Sequence, residues 1–280
     1  GTQIKREKPD EGQFGFALRY LAEELNSTEF GFYYLQFNDF APTINFVPDA
    51  LFQSTLGVGL GHNNVVLKHF EDIKLYGMSF GTVLGDTNLS GEFNYRDGQP
   101  VRIGNPYGAL YYSAADTLQT QLSVSHLFGQ SALWDNLTLL GEIGNFRVLK
   151  LHDDAIASAL TGGQLSNEQQ AVHGDDSASS FTLRLSADYF TIANGLDLKV
   201  STTYRNDFDG VSPMLGGFAE GNEVLGLKAD FSSSGGHSFG VSYTAFLTDP
   251  EEIIRDEGEL QLTHFNADRD NLALYYKYRF

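Results

Sequence analysis

The sequence has no cysteine, two methionines and one tryptophan in 280 residues. Without thiols it can build no disulfide framework, no thiolate metal site and no cysteine nucleophile. Basic residues are scarce: 18 Lys and Arg stand against 36 Asp and Glu, giving a formal net charge of −18. A surface of that sign repels phosphate backbones, which argues against a nucleic-acid partner. Long apolar runs are also missing, and nothing approaches the roughly 18–20 residues that a membrane-spanning helix needs. A chain that crosses a membrane without helices must do so as a closed β-barrel, because every backbone N–H and C=O in lipid has to be paired.

What the sequence does have is Phe (22), Tyr (14) and Gly (30), a composition that suits strands, tight turns and interfacial belts. It also alternates strictly. Phe181, Leu183, Leu185, Ala187 and Tyr189 interleave with Thr182, Arg184, Ser186 and Asp188. Leu196, Leu198, Val200 and Tyr204 interleave with Asp197, Lys199, Ser201, Thr203 and Arg205. A period of two over about ten residues has the length and pattern of a tilted membrane strand. This pattern predicts about eleven strands, near 13–21, 28–37, 73–84, 88–96, 117–127, 136–147, 180–190, 195–205, 222–231, 237–247 and 270–280.

Short connections at 22–27, 85–87, 128–135, 191–194 and 232–236 alternate with long ones at 38–72, 97–116, 148–179, 206–221 and 248–269. A soluble β-sandwich has no reason to place every long loop at one end, whereas outer-membrane barrels have short periplasmic turns and long extracellular loops. The expected fold is therefore all-β, a transmembrane antiparallel up-and-down β-barrel in the bacterial outer membrane, with residues 1–280 as a single domain. In the last segment Leu272, Leu274, Tyr276, Tyr278 and Phe280 share one face. Leu274, Tyr276, Tyr278 and the terminal Phe280 resemble the C-terminal signal read by the outer-membrane assembly machinery. The first and last strands run in the same direction, so eleven antiparallel strands do not close on themselves. An N-terminal portion of the same barrel, absent from these residues or carried by another chain, is expected to complete it.

The stretch 11–37 (EGQFGFALRYLAEELNSTEFGFYYLQF) resembles a large family of proteobacterial outer-membrane proteins, domain-of-unknown-function family 1302. The segments 70–80 (FEDIKLYGMSF) and 127–144 (LFGQSALWDNLTLLGEIG) look like two further blocks of it. The resemblance implies a longer protein of which this is the C-terminal half. It also implies a periplasmic lipoprotein-like partner, an inner-membrane transporter, and a part in moving lipids or other hydrophobic molecules across the envelope. It carries over no catalytic residues.

Ser79 lies in a G-x-S-x-G match (77–81), but inside an alternating strand rather than on a strand-turn-helix elbow, so a hydrolase is not expected. Ser125 and His126 fall on opposite faces of one strand and cannot act as nucleophile and base. The histidines lack paired spacing, which gives no sequence support for a transition-metal site. Asp207 and Asp209, before Gly210, form a weak calcium candidate that lacks the remaining EF-hand ligands. The acidic pairs 153–154, 175–176 and 251–252 read as solvated loops beside lipopolysaccharide and its divalent ions. The glycine-rich stretch 56–64 matches neither a Walker loop nor a dinucleotide fingerprint.

The interior is the place to look for function. Arg19, Glu92, Arg96, Glu142, Arg184, Asp188, Asp197, Lys199, Arg205, Lys228, Asp230, Lys277 and Arg279 are the lumen-lining candidates. So many ions need water or partners, as in a wet channel or a salt-bridged plug. The expectation is a channel or transport component for small hydrophobic or amphipathic molecules that works with envelope partners. The alternative is a structural or interaction barrel with a sealed lumen, whose long loops bind a partner. No enzymatic activity and no tightly held cofactor are expected.

Overall fold

Each alternating segment forms a strand, and the strands pair in sequence order. The computed structural model describes residues 12–47, 64–104, 111–160, 172–214, 217–248 and 266–279. The strands are β1 (Phe14–Ala22), β2 (Thr28–Phe37), β3 (Thr43–Val47), β4 (Asn64–Lys68), β5 (Ile73–Leu84), β6 (Thr87–Arg102) and β7 (Tyr112–Leu127). They continue with β8 (Asn136–Leu151), β9 (Ser177–Ala193), β10 (Leu196–Asp209), β11 (Glu223–Ser233), β12 (His237–Phe246) and β13 (Asn271–Tyr278), and one short helix, α1 (Ala155–Leu160). Eleven of them form a single antiparallel sheet in the order β1-β2-β5-β6-β7-β8-β9-β10-β11-β12-β13. The fold is all-β, and no described helix is long and apolar enough to cross a membrane.

β3 and β4 form a separate hairpin inside the longest connection. The central strands also run further than their alternation suggests. β6 reaches Arg102 through a register shift between Arg96 and Gln99, where Gly98 takes φ +91°. That bulge breaks the period of two, so the sequence there reads as a loop. Beyond Asp97 only β7 pairs with β6, and the missing N–H of Pro100 therefore falls on an edge that no longer needs it.

Register fixes the two faces. Phe32 stands opposite Met78, which stands opposite Phe93, and Leu185 stands opposite Thr202, Leu227 and Tyr243 in turn. One face is thus predominantly apolar, with Thr120 and Thr202 among its residues. No second layer covers it among the described residues: Phe16 is 64% exposed and Leu274 76%. Rings run along this face and make contacts at both of its ends. Near the long-loop end Phe14, Tyr34, Tyr76 and Tyr95 form a row with centroids 5.7, 5.2 and 6.0 Å apart, and Phe181 meets Tyr204 at 5.8 Å. Near the short-turn end Phe231 stacks on Phe239 at 4.8 Å and His237 on Tyr278 at 4.7 Å.

The buried cores lie at the long-loop end and not beneath the sheet. Val101, Ile103, Tyr111, Phe146, Val148, Leu151, Ala157 and Val172 make one, with Ile156, Met214 and Phe218 packed on it. Phe70, Ile73 and Tyr112 make a smaller one.

Candidate functional site: the polar face and its cap

The second face of the sheet is polar along its length. Arg19, Arg96, Arg184, Lys199, Arg205, Lys228 and Lys277 share it with Glu29, Glu92, Glu142, Asp188, Asp197, Asp207 and Asp230. These are seven cations and seven anions, so the strands contribute no net charge here and the acidity of the chain resides elsewhere. Several of them pair across or along strands. Lys199 reaches Asp188 at 3.3 Å, Lys228 reaches Asp230 at 2.8 Å, and Arg19 lies 3.9 Å from Glu29. Arg96 donates to Gln119 at 3.1 Å, and the Ser123 hydroxyl to Glu142 at 3.5 Å. Lys228 and Lys277 lie over the Tyr275 ring at 5.4 and 5.5 Å.

Every lumen-lining candidate on a strand therefore falls on one face. Arg279 follows β13, its N–H bonded to the Gly236 carbonyl at 3.0 Å. On the last strands Lys228 meets a carboxylate, whereas Lys277 stands opposite Ser238 and lies over the Tyr275 ring. Glu142 and Arg184 line an open hollow of about 520 Å³ with Ser90, Ser123, Thr182 and Thr203. Hydroxyls dominate it, with one charge of each sign and the apolar Leu140 at its side.

The other sequence candidates are placed as follows. Leu274, Tyr276 and Tyr278 lie on the apolar face and are exposed, while Phe280 lies outside the described residues. Ser79 Oγ sits 3.3 Å from the Tyr33 hydroxyl on the polar face, and His126 Nδ1 sits 2.7 Å from Thr87 Oγ1. Most of the glycine-rich stretch 56–64 lies outside the described residues. At the weak calcium candidate the structure shows an ion pair. Asp207 is fully buried and takes both Arg205 Nε and Nη2 at 2.9 Å, together with Asn222 Nδ2 and the Ala219 N–H at 3.1 Å. Its oxygens are thus committed to protein donors, and Asp209 is exposed beyond it.

The long connections build a cap that the alternation gave no sign of. Arg102 N–H bonds the Pro213 carbonyl at 2.9 Å, His173 N–H bonds the Arg102 carbonyl at 3.1 Å, and Asp175 N–H bonds the Val211 carbonyl at 2.8 Å. Three connections are locked by these bonds. The fourth joins through Asn45, whose buried side-chain oxygen accepts the Tyr112 N–H at 2.7 Å. Phe218 lies over the polar face itself, since a Cβ at Gly144 would stand 3.3 Å from its ring. The only sequence signal for this cap is the large apolar residues in the connections, namely Ile103, Tyr111, Val172, Met214 and Phe218.

Asp154 ties the cap together. Its carboxylate accepts the Ile156 and Ala157 N–H groups at the start of α1 (2.9 and 3.0 Å), the Tyr111 hydroxyl (3.0 Å) and Lys68 Nζ (3.0 Å). Burial alone would raise its pKa, but the Ala157 N–H, Lys68 and Tyr111 together hold it below the usual carboxylate value. Burial, reinforced by Asp154, pushes the Tyr111 phenol up, so it stays a donor. A depressed folded-state pKa stabilises above the unfolded value of about 3.9, and that stabilisation is lost as pH falls through the folded value. The cap should therefore resist protease at pH 7 and at pH 5 and loosen only below about pH 4. In Asp154→Asn this acid step should vanish. Limited proteolysis across the pH range, with cleavage mapped to 152–176, measures both.

The chain belongs to the family described as "Protein of unknown function (DUF1302)", whose model matches residues 2–280. No curated protein matches the sequence. Among solved structures it is similar to "Outer-membrane expressed OmpT of Vibrio cholerae", with a TM-score of 0.33 and 9% identity over 79% of this chain and 69% of that one.

Proposed function

We propose that this chain is wall and cap of an outer-membrane β-barrel that passes small amphipathic molecules, working with partners in the envelope. The observation that carries the reading is the contrast between the two faces: a broad apolar field, uncovered among the described residues, on one side and a polar, charge-balanced surface on the other. In water an apolar field of this extent would drive aggregation, and in lipid it is what a barrel wall requires. The rings toward the two ends support this. Phe181 and Tyr189 are eight positions apart on β9 (189 − 181 = 8) and face the same side. At ~3.3 Å per residue they are about 26 Å apart along the strand, or ~20 Å across the bilayer at a tilt near 40°. Aromatic belts at two levels separated by about that depth are what interfacial anchoring uses.

β1 and β13 are the edges of the sheet and run in the same direction, from the long-loop end to the short-turn end. Bare edges are not tolerated in lipid, so closure calls for an odd number of further antiparallel strands between them. The polar wall favours solutes with a hydrophilic part. Leu35, Leu75 and Leu140, interspersed on that wall, offer contact to an apolar part.

The cap favours a second reading, a barrel sealed at its outer mouth whose loops bind a partner. Planar-bilayer recording on the full-length protein separates the two. Discrete conductance steps, together with solute uptake into proteoliposomes, are expected of the channel. A barrel that folds in the bilayer yet neither conducts nor passes solute would sink the channel reading and leave the sealed one.

A further inference from the structure

We propose that Asp97, Asp116 and His152 form a binding site for a divalent transition-metal ion of the zinc class, at the long-loop end of the sheet. The three come from β6, β7 and the residue after β8, and their ligand atoms all lie within 4.8 Å of one another. His152 Nε2 stands 2.7 Å from Asp116 Oδ1 and 3.6 Å from Asp97 Oδ1. Two carboxylates thus converge on a single imidazole nitrogen. That nitrogen carries at most one proton, and one N–H points along one direction. It serves Asp116 and leaves Asp97, of like charge, drawn to the same point.

A cation at the centre of the three serves them all. Zinc bonds of about 2.0–2.2 Å to carboxylate oxygen and imidazole nitrogen require neighbouring ligand atoms roughly 3–3.5 Å apart. The two His152 separations bracket that range, and all three ligand atoms lie within 4.8 Å of one another, so an ion at their centre draws the two carboxylates together. One imidazole and two carboxylates are a donor set that zinc-class ions accept, with further positions left for water.

The surroundings hold the ligands in place. Lys74 Nζ stands 3.5 Å from the other oxygen of Asp97, and the backbone N–H of His152 bonds the Ala114 carbonyl at 2.9 Å, which fixes the main chain that carries the imidazole. A side-chain partner such as Lys74 orients its metal ligand, and partners of that kind are worth about 10–100-fold in affinity. Asp97 pairs with Lys74 and Asp116 precedes Leu118 at the same parity, so the site lies on the apolar side of the sheet, just past the Tyr34–Tyr76–Tyr95 row. Its ligand side chains are between about a fifth and a third exposed (21%, 34% and 37%), open enough for an ion to enter. The site does not depend on the transport reading.

The test uses the full chain, purified in detergent and stripped with a chelator, with Co²⁺ and Zn²⁺ alone as probes. Wild-type protein should bind one equivalent of Co²⁺ with the visible spectrum of nitrogen and oxygen ligation, and Zn²⁺ should displace it. Asp116→Asn and His152→Gln should each weaken binding at least tenfold, while Glu24→Gln, on an exposed turn at the opposite end, should not. A second measurement needs no variant: Zn²⁺ should protect His152, but not His126 or His237, from acylation by diethylpyrocarbonate. The proposal is overturned if the wild type binds no tighter than an Asp97→Asn/His152→Gln double variant. It is also overturned if His152 is acylated equally with and without Zn²⁺, the result expected when only a proton occupies the triad.

Discussion

Leu185→Arg should destabilise the protein in a bilayer by about 2–4 kcal/mol, while Ser123→Arg should change stability by no more than about 0.5 kcal/mol. Leu185 lies midway between Phe181 and Tyr189 on β9, on the apolar face, opposite Leu139 and Thr202. In the proposed barrel that is mid-bilayer depth, where a guanidinium cannot reach either headgroup layer without distorting the wall. Ser123 faces the other way, directly opposite Glu142. An arginine there enters an open, hydroxyl-lined hollow and meets a carboxylate, an exchange worth little in either direction. The same residue type is introduced in both variants, so net charge cancels from the comparison. Urea titration of folding into lipid vesicles, followed by circular dichroism, gives both values. Equal tolerance at the two sites would overturn the assignment of the apolar face to lipid.

The strands were legible because the two sides of this sheet differ so sharply. When every second residue meets one medium and the rest meet another, the period of two is written along the strand, as in Phe181–Tyr189 of β9. Strand order followed from the alternation of short and long connections. The outer ends of β6 to β9 were not legible, because there both sides pack against protein. At the Arg96–Gln99 bulge the parity inverts, and Val101 and Ile103 join a core that only the fold assembles.

The candidate site divides along the same line. Parity sorted Arg19, Glu92, Glu142, Arg184 and Lys228 onto one face, since face is a local property of a strand. The partners of those residues are set by register. Asp207 looked like part of a calcium loop because Arg205 is two positions away on the same strand and nothing in the sequence shows the two side chains folding together. Asp97, Asp116 and His152 are separated by 19 and 36 positions (116 − 97 and 152 − 116) and meet only through the β6–β7 and β7–β8 registers. Histidine spacing along the chain cannot report that.

Asp207→Ala should cost about 3 kcal/mol or more, because it removes an acceptor shared by several donors in a place that water does not reach. Arg205 would lose both of its 2.9 Å bonds, and the Asn222 amide and Ala219 N–H would lose theirs at 3.1 Å. The last two hold the turn that carries the chain from β10 into β11, where Asp207 N–H also bonds the Asn222 carbonyl at 3.0 Å. That turn presents Phe218 to Gly144, so its loss would free the cap from the polar face as well as lower stability. Asp209→Ala, two positions on and exposed, should fall within about 0.5 kcal/mol of wild type. Calcium supplies a further contrast. If the carboxylate is saturated by protein donors, millimolar Ca²⁺ should leave the wild-type melting temperature unchanged, whereas a calcium loop would gain stability by mass action. Thermal melts of the three proteins with and without Ca²⁺, and cleavage rates within 210–222, decide between the ion pair and the ion. A calcium-dependent rise in the wild type that is lost in Asp207→Ala would show that the pair opens to bind metal.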